Sequence, residues 1–98
     1  MPTFISTIKF TQQGLKAIGE TTERATALHA TSKKFRVKIK DVYWTMGDHD
    51  GVLIFEAVDG EDATAWLLHV GAMGNVHTAT SRAFTAVEMD KILTKTHG

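Results

Sequence analysis

Residues Val42–Ala57, VYWTMGDHDGVLIFEA, decide the fold. Two apolar, strand-like runs flank the cluster Gly47-Asp48-His49-Asp50-Gly51, and that pattern reads as a β-hairpin. The hairpin fixes the middle of the architecture. It also sets the densest group of ionisable side chains between apolar walls. If Gly47 closes the loop against Gly51, Trp44 stands opposite Ile54 and Val42 opposite Glu56, which places Glu56 on the face of Trp44 and Val52. The second arm, Val52–Ala57, is apolar at nearly every position, a pattern that predicts cover on both sides. The first arm, Arg36–Met46, changes parity midway. Val37 and Ile39 are odd, whereas Val42, Trp44 and Met46 are even, and a bulge near Lys40-Asp41 keeps all five on one face.

Upstream, Thr3–Phe10 reads as a strand with Phe4, Ile8 and Phe10 on one parity. Thr11 caps a helix whose stripe runs Leu15, Ile18, Thr22, Ala25, Leu28, Ser32 and Phe35. Gly19 predicts a break, with the longer part covering Thr22 to about Lys34. Downstream, Asp59 begins a helix with Asp62 in the capping-box position. Its stripe is Ala63, Trp66, Leu67 and Val70, and Gly71 and Gly74 end it. Val76–Phe84 is the fourth strand. Thr85-Ala86-Val87-Glu88 is a capping box for a last helix, with Val87, Ile92 and Leu93 inward and an end near Lys95.

The order is βαββαβ plus a terminal helix. That is an α+β, ferredoxin-like arrangement: a four-stranded antiparallel sheet with the helices of the repeat on one face. Ninety-eight residues predict one domain, 1–98. The remaining face stays apolar on either parity, with Tyr43, Leu53, Phe55, Ala79 and Ala83 on one assignment. A second copy of the chain is the expected cover, with a pocket enclosed there.

Bulk properties narrow the function classes. The chain has 11 basic and 11 acidic residues and no net charge, which argues against a nucleic-acid partner and an anionic membrane surface. It has no cysteine, so disulfides and thiolate chemistry are excluded. No targeting or membrane-spanning segment is recognisable, and a cytoplasmic location is the default expectation.

Several strings together resemble the GYD-domain family: Tyr43-Trp44-Thr45-Met46-Gly47 with Asp50-Gly51, Gly71-Ala72-Met73-Gly74-Asn75-Val76, Thr80-x-Arg82-Ala83-Phe84-Thr85, and the opening Lys9-Phe10-Thr11 with Gly14-Leu15. The resemblance spans essentially the whole chain. It implies a small protein of the dimeric ferredoxin-like (α+β barrel) type, similar in plan to cofactor-independent monooxygenases, muconolactone isomerases and amino-acid-sensing regulator domains. His49 stands where the family motif has tyrosine, so a role that needs a phenol there does not carry over. For function the resemblance gives fold-level analogy alone.

Candidate chemistry starts at the hairpin. Asp48 and Asp50 beside His49 suit a base working near neutrality, and equally suit an ordinary loop. Glu56 on an apolar face calls for an ionic partner, and Arg82 on the fourth strand is the candidate, either as a pocket acid with an anion-holding arginine or as a structural ion pair. Trp44 offers an orienting N–H or an interface anchor. His77 is the other histidine placed to face a central pocket. No pair of histidines has helical ligand spacing, so no metal is expected, and no cofactor motif is present. The glycines after the second long helix lie at its negative end and do not form a phosphate loop.

The leading expectation is a homo-oligomeric small-molecule-binding or sensing module, with Tyr43, Trp44, Glu56 and Arg82 as ligand contacts. The alternatives are a cofactor-independent oxygenase or isomerase with His49 or His77 as base, and an assembly protein without a ligand.

Overall fold

Asp50, and not Gly47, sets the register of the central hairpin. In the computed structural model, which describes residues 1–97, strand β2 (Val37–Trp44) turns through residues 45–50 into β3 (Gly51–Ala57). Trp44 pairs with Gly51, Tyr43 with Val52 and Val42 with Leu53. The Asp50 N–H donates to the Ile8 carbonyl (2.8 Å), and the Asp50 carboxylate accepts from the Phe10 N–H (2.8 Å). The Thr45 N–H donates to the Asp50 carbonyl (2.9 Å) and closes the hairpin, so Trp44 stands opposite Gly51, three residues from the Ile54 that the glycine-closed hairpin predicts. A slip by an odd number of residues exchanges the two faces of a strand. Glu56 therefore stands opposite Lys38, not Val42, and on the opposite side of the sheet from Trp44.

The other strands are β1 (Thr3–Phe10) and β4 (Val76–Ala83). The sheet order is β2-β3-β1-β4 with every neighbour antiparallel. This is the ferredoxin-like α+β order. The bulge expected near Lys40-Asp41 is present, because Ile39 pairs with Phe55 while Asp41 pairs with Ile54. Val37, Ile39, Val42 and Trp44 thus share the face of Ala57, Phe55, Leu53 and Gly51. Met46 lies beyond the strand and is 99% exposed.

Helix formation follows the predicted caps. Thr11 accepts from the Gly14 N–H at the start of α1 (Gln12–Lys16), a 3-10 turn at Ile18–Glu20 supplies the break at Gly19, and α2 covers Thr21–Ser32. Leu15 and Ile18 are exposed, contrary to the inward stripe expected of them, and the 3-10 turn interrupts the single helical period on which that stripe was counted. Asp59 caps α3 (Gly60–Ala72), which buries Ala63, Trp66 and Val70. Thr85 and Glu88 form a complete capping box at α4 (Ala86–Thr96).

The core lies between α3 and the sheet. Trp66 meets Phe55 edge-on at 5.0 Å, Phe55 stacks on Phe4 at 5.4 Å, and Leu53, Ala57 and Val37 fill in around them. Leu53 and Phe55 are therefore core under the helices, not residues of the bare face. Burial of each large side chain in this cluster contributes on the order of 2–3 kcal/mol.

Candidate functional site

On the helix side of the sheet a pocket of about 320 Å³ opens between α2, α3 and the strands. Its floor is Ile8, Val42 and Leu53 of the sheet, and its walls include Leu28 of α2 and Val70 of α3. The space exists because α2 is poor in large apolar residues on its inner side. Thr21, Ala25 and Thr31 face inward there, with Leu28 as the one bulky group. The N-terminal end of α2 is held by side-chain hydrogen bonds. Arg24 anchors it to the preceding segment through the carbonyls of Ala17 (3.0 Å) and Gly14 (3.3 Å), and the Trp44 indole N–H donates to the Thr21 hydroxyl (3.0 Å).

One end of the pocket is closed by a clasp. The Thr11 N–H donates to the Asn75 carbonyl (3.0 Å), and the Thr11 hydroxyl donates to the Gly74 carbonyl (2.6 Å). The Gln13 amide donates to the Met73 carbonyl (3.0 Å) and to Asn75 Oδ1 (2.9 Å). Gly74, at φ 84°, makes the turn from α3 into β4 that lets these carbonyls face α1. The glycine-rich string after α3 is thus a structural joint between the two halves of the chain.

Of the six residues singled out from the sequence, Tyr43 and Trp44 border the helix-side pocket and the other four do not. Trp44 is at the lip of the helix-side pocket. Tyr43, Glu56 and His77 lie on the helix-free face, at separate positions across it. Glu56 is 3.9 Å from Lys40 there, so its ionic partner is Lys40 and not Arg82. Arg82 lies on the helix face of β4, opposite Phe4. It donates to the carbonyls of Thr3 and Ala83, approaches Glu88 of α4 at 3.4 Å, and stands 4.5 Å from the centre of the Phe84 ring. Arg82 is therefore the tether at the root of α4. His49 is exposed at the hairpin tip, its carbonyl accepting from the Thr45 hydroxyl. Neither His49 nor His77 lines the pocket. Among the described residues no cluster of His, Asp and Glu is arranged to hold a metal ion.

Two further features surround the site. The helix-free face has an apolar centre of Ile5, Val52, Ile54 and Ala79, with Tyr43 55% exposed beside it. Lys9, Lys40, Asp41, Glu56 and His77 rim that centre. No residue of α4 is buried, and Val87, Met89 and Leu93 of that helix are exposed, contrary to the inward packing expected of Val87 and Leu93. No helix of the described residues is long and apolar enough to cross a membrane.

The GYD domain family model matches residues 4–93. The chain belongs to the GYD domain family. A relative from Thermus thermophilus, named glutamine synthetase and cystathionine beta-lyase binding protein, is 28% identical over 90 residues, covering 91% of this chain and 95% of its own. Among solved structures, a hypothetical protein of Pyrococcus horikoshii aligns with a TM-score of 0.62 at 18% identity, over 87% of this chain and 92% of that one. A protein of Thermus thermophilus aligns with a TM-score of 0.57 at 22% identity, over 88% of this chain and 96% of that one. These structural likenesses carry the ferredoxin-like fold.

Proposed function

We propose that this GYD-domain chain is a homo-oligomeric binding module that joins copies through the helix-free face of its sheet. The observation that carries the reading is the layout of that face. An apolar centre of Ile5, Val52, Ile54 and Ala79 lies inside a rim of charged side chains, the arrangement of a protein interface and not of a solvated sheet. In this reading Tyr43 and Glu56 are interface residues, Trp44 is a lip of the helix-side pocket, and Arg82 holds α4. Neither histidine is given a catalytic role, since each stands in solvent without a partner group to orient it.

Light scattering on the purified chain tests this. The expected mass at micromolar concentration is a multiple of 10.8 kDa. Ile54→Lys sets a charge in the apolar centre and is expected to return the mass to that of one chain, with the circular dichroism of the fold retained. A wild-type chain that stays at 10.8 kDa across the concentration range overturns the reading.

A second reading concerns α4. The T. thermophilus relative is named for binding two enzymes. By that likeness, and because α4 carries a bare apolar stripe on a rigid tether, α4 is the segment through which an enzyme partner docks.

A further inference from the structure

We propose that the pocket between α2, α3 and the sheet is a binding site for a neutral, apolar small molecule about the size of two fused aromatic rings. The site lies on the opposite side of the sheet from the proposed self-association face, and the inference stands without that reading. Its volume of about 320 Å³ is at the lower end of small-molecule pockets. It equals the space of about ten water molecules, yet water is poorly held there. A buried water needs two or more polar partners, and most polar groups around this pocket are already bonded within the chain, while His69 borders it with its ring 5.2 Å from that of Phe35. The Trp44 indole N–H is on Thr21, the Thr31 hydroxyl on the Leu28 carbonyl, and the Asp50 carboxylate on the Phe10 N–H. Asn75 Oδ1 accepts from Gln13, and Arg24 is held by two backbone carbonyls.

What remains for a guest is apolar surface, chiefly Leu28, Val42, Leu53, Val70 and Val76. Displacing loosely bound water from such walls favours an apolar occupant. A charged guest would lose its hydration against walls that are mostly apolar, where the Asp50 carboxylate and the Arg24 guanidinium are both already bonded within the chain. Bonds at Thr21 and Arg24 oppose a shift of the N-terminal end of α2 into the void. The pocket is open in the structure without a ligand in it.

The test is a titration of the full chain with 2-naphthol at pH 7, followed by two-dimensional 1H–15N spectra. The expected result is saturable, submillimolar binding that shifts the Trp44 indole resonance and the amides of Leu28 and Val70. The charged analogue 2-naphthoate is expected to bind at least about tenfold more weakly. Ala25→Phe places a ring in the space and is expected to weaken 2-naphthol by at least about tenfold while the thermal midpoint holds or rises. Nuclear Overhauser contacts from the naphthol ring to the Leu28, Val70 and Val76 methyls give the same answer should Ala25→Phe not fold. Ile54→Lys is expected to leave the affinity unchanged, which separates this site from the self-association face. Shifts confined to Ile5, Val52 and Ile54, equal affinity for the carboxylate, or an unaltered affinity in Ala25→Phe each overturn the proposal.

Discussion

At Gly14 the difference between a fit and a clash is one methyl group. A Cβ at that position would stand 2.2 Å from the Asn75 carbonyl oxygen, and the obstacle is backbone that cannot rotate away. The same carbonyl accepts from the Thr11 N–H, so moving it also breaks the clasp. Gly14→Ala is therefore expected to cost about 1–3 kcal/mol, outweighing alanine's better helix propensity. Thermal denaturation would register this as a fall of roughly 4–8 °C for each kcal/mol in a chain of this size. Gly19→Ala is the control. Nothing lies within 4 Å of its added Cβ, so its midpoint is expected to hold or rise. Equal losses at the two glycines would show that the Asn75 contact is not what Gly14 protects.

At the scale of elements, α4 is held by its first turn. The Glu88 carboxylate accepts from the Thr85 N–H (2.9 Å), and that bond, ahead of the hydrogen bond from Arg82, holds its pKa below the ordinary value of 4.5. A carboxyl whose pKa is lowered on folding contributes stability above its unfolded pKa and loses it as the pH falls through the folded one. Helicity at α4 is thus expected to be constant above pH 4.5 and to decline in more acid solution. Glu88→Gln keeps the reciprocal cap and removes the titration, so the decline should vanish in that variant. Backbone chemical shifts of Val87–Lys91 followed from pH 6 to about pH 2 read this directly. An acid decline that persists in Glu88→Gln would assign it to another group.

The elements also show what local sequence can and cannot encode. The bulge in β2 was legible because it is written in one strand, as the change of parity between Ile39 and Val42. The caps at Thr11, Asp59 and Thr85 were legible for the same reason. The hairpin register was not, since Asp50, which closes the loop on Thr45, is itself held by bonds to Ile8 and Phe10, forty residues away. From that one register followed the mistaken pairing of Glu56 with Arg82. The pocket was hidden in a different way. It arises from small residues on α2, and small residues signal a void only once the distance of the helix from the sheet is known.

The whole molecule is longer than its chain length requires. Its radius of gyration is 14.9 Å, against about 13 Å for a compact domain of this size, and it measures 52 × 31 × 18 Å. A compact chain of this length would fold its last helix onto the body. Here α4 has no buried residue, and its Val87 is 73% exposed. An isolated helix of this length is marginal in water, since tertiary packing supplies most helical stability. Hydrogen exchange of the free chain should therefore divide it sharply. Amides of α3 and β3, around Trp66 and Phe55, are expected to be slowest, and those of α4 beyond its capped first turn the fastest of the three longer helices. Protection of α4 that rises when glutamine synthetase from the same organism is added supports enzyme docking. Protection that rises with the chain's own concentration assigns the stripe to another copy instead. Slow exchange along α4 in the dilute, isolated chain would mean that the helix is already covered by its own body, and both readings of its apolar side would fall.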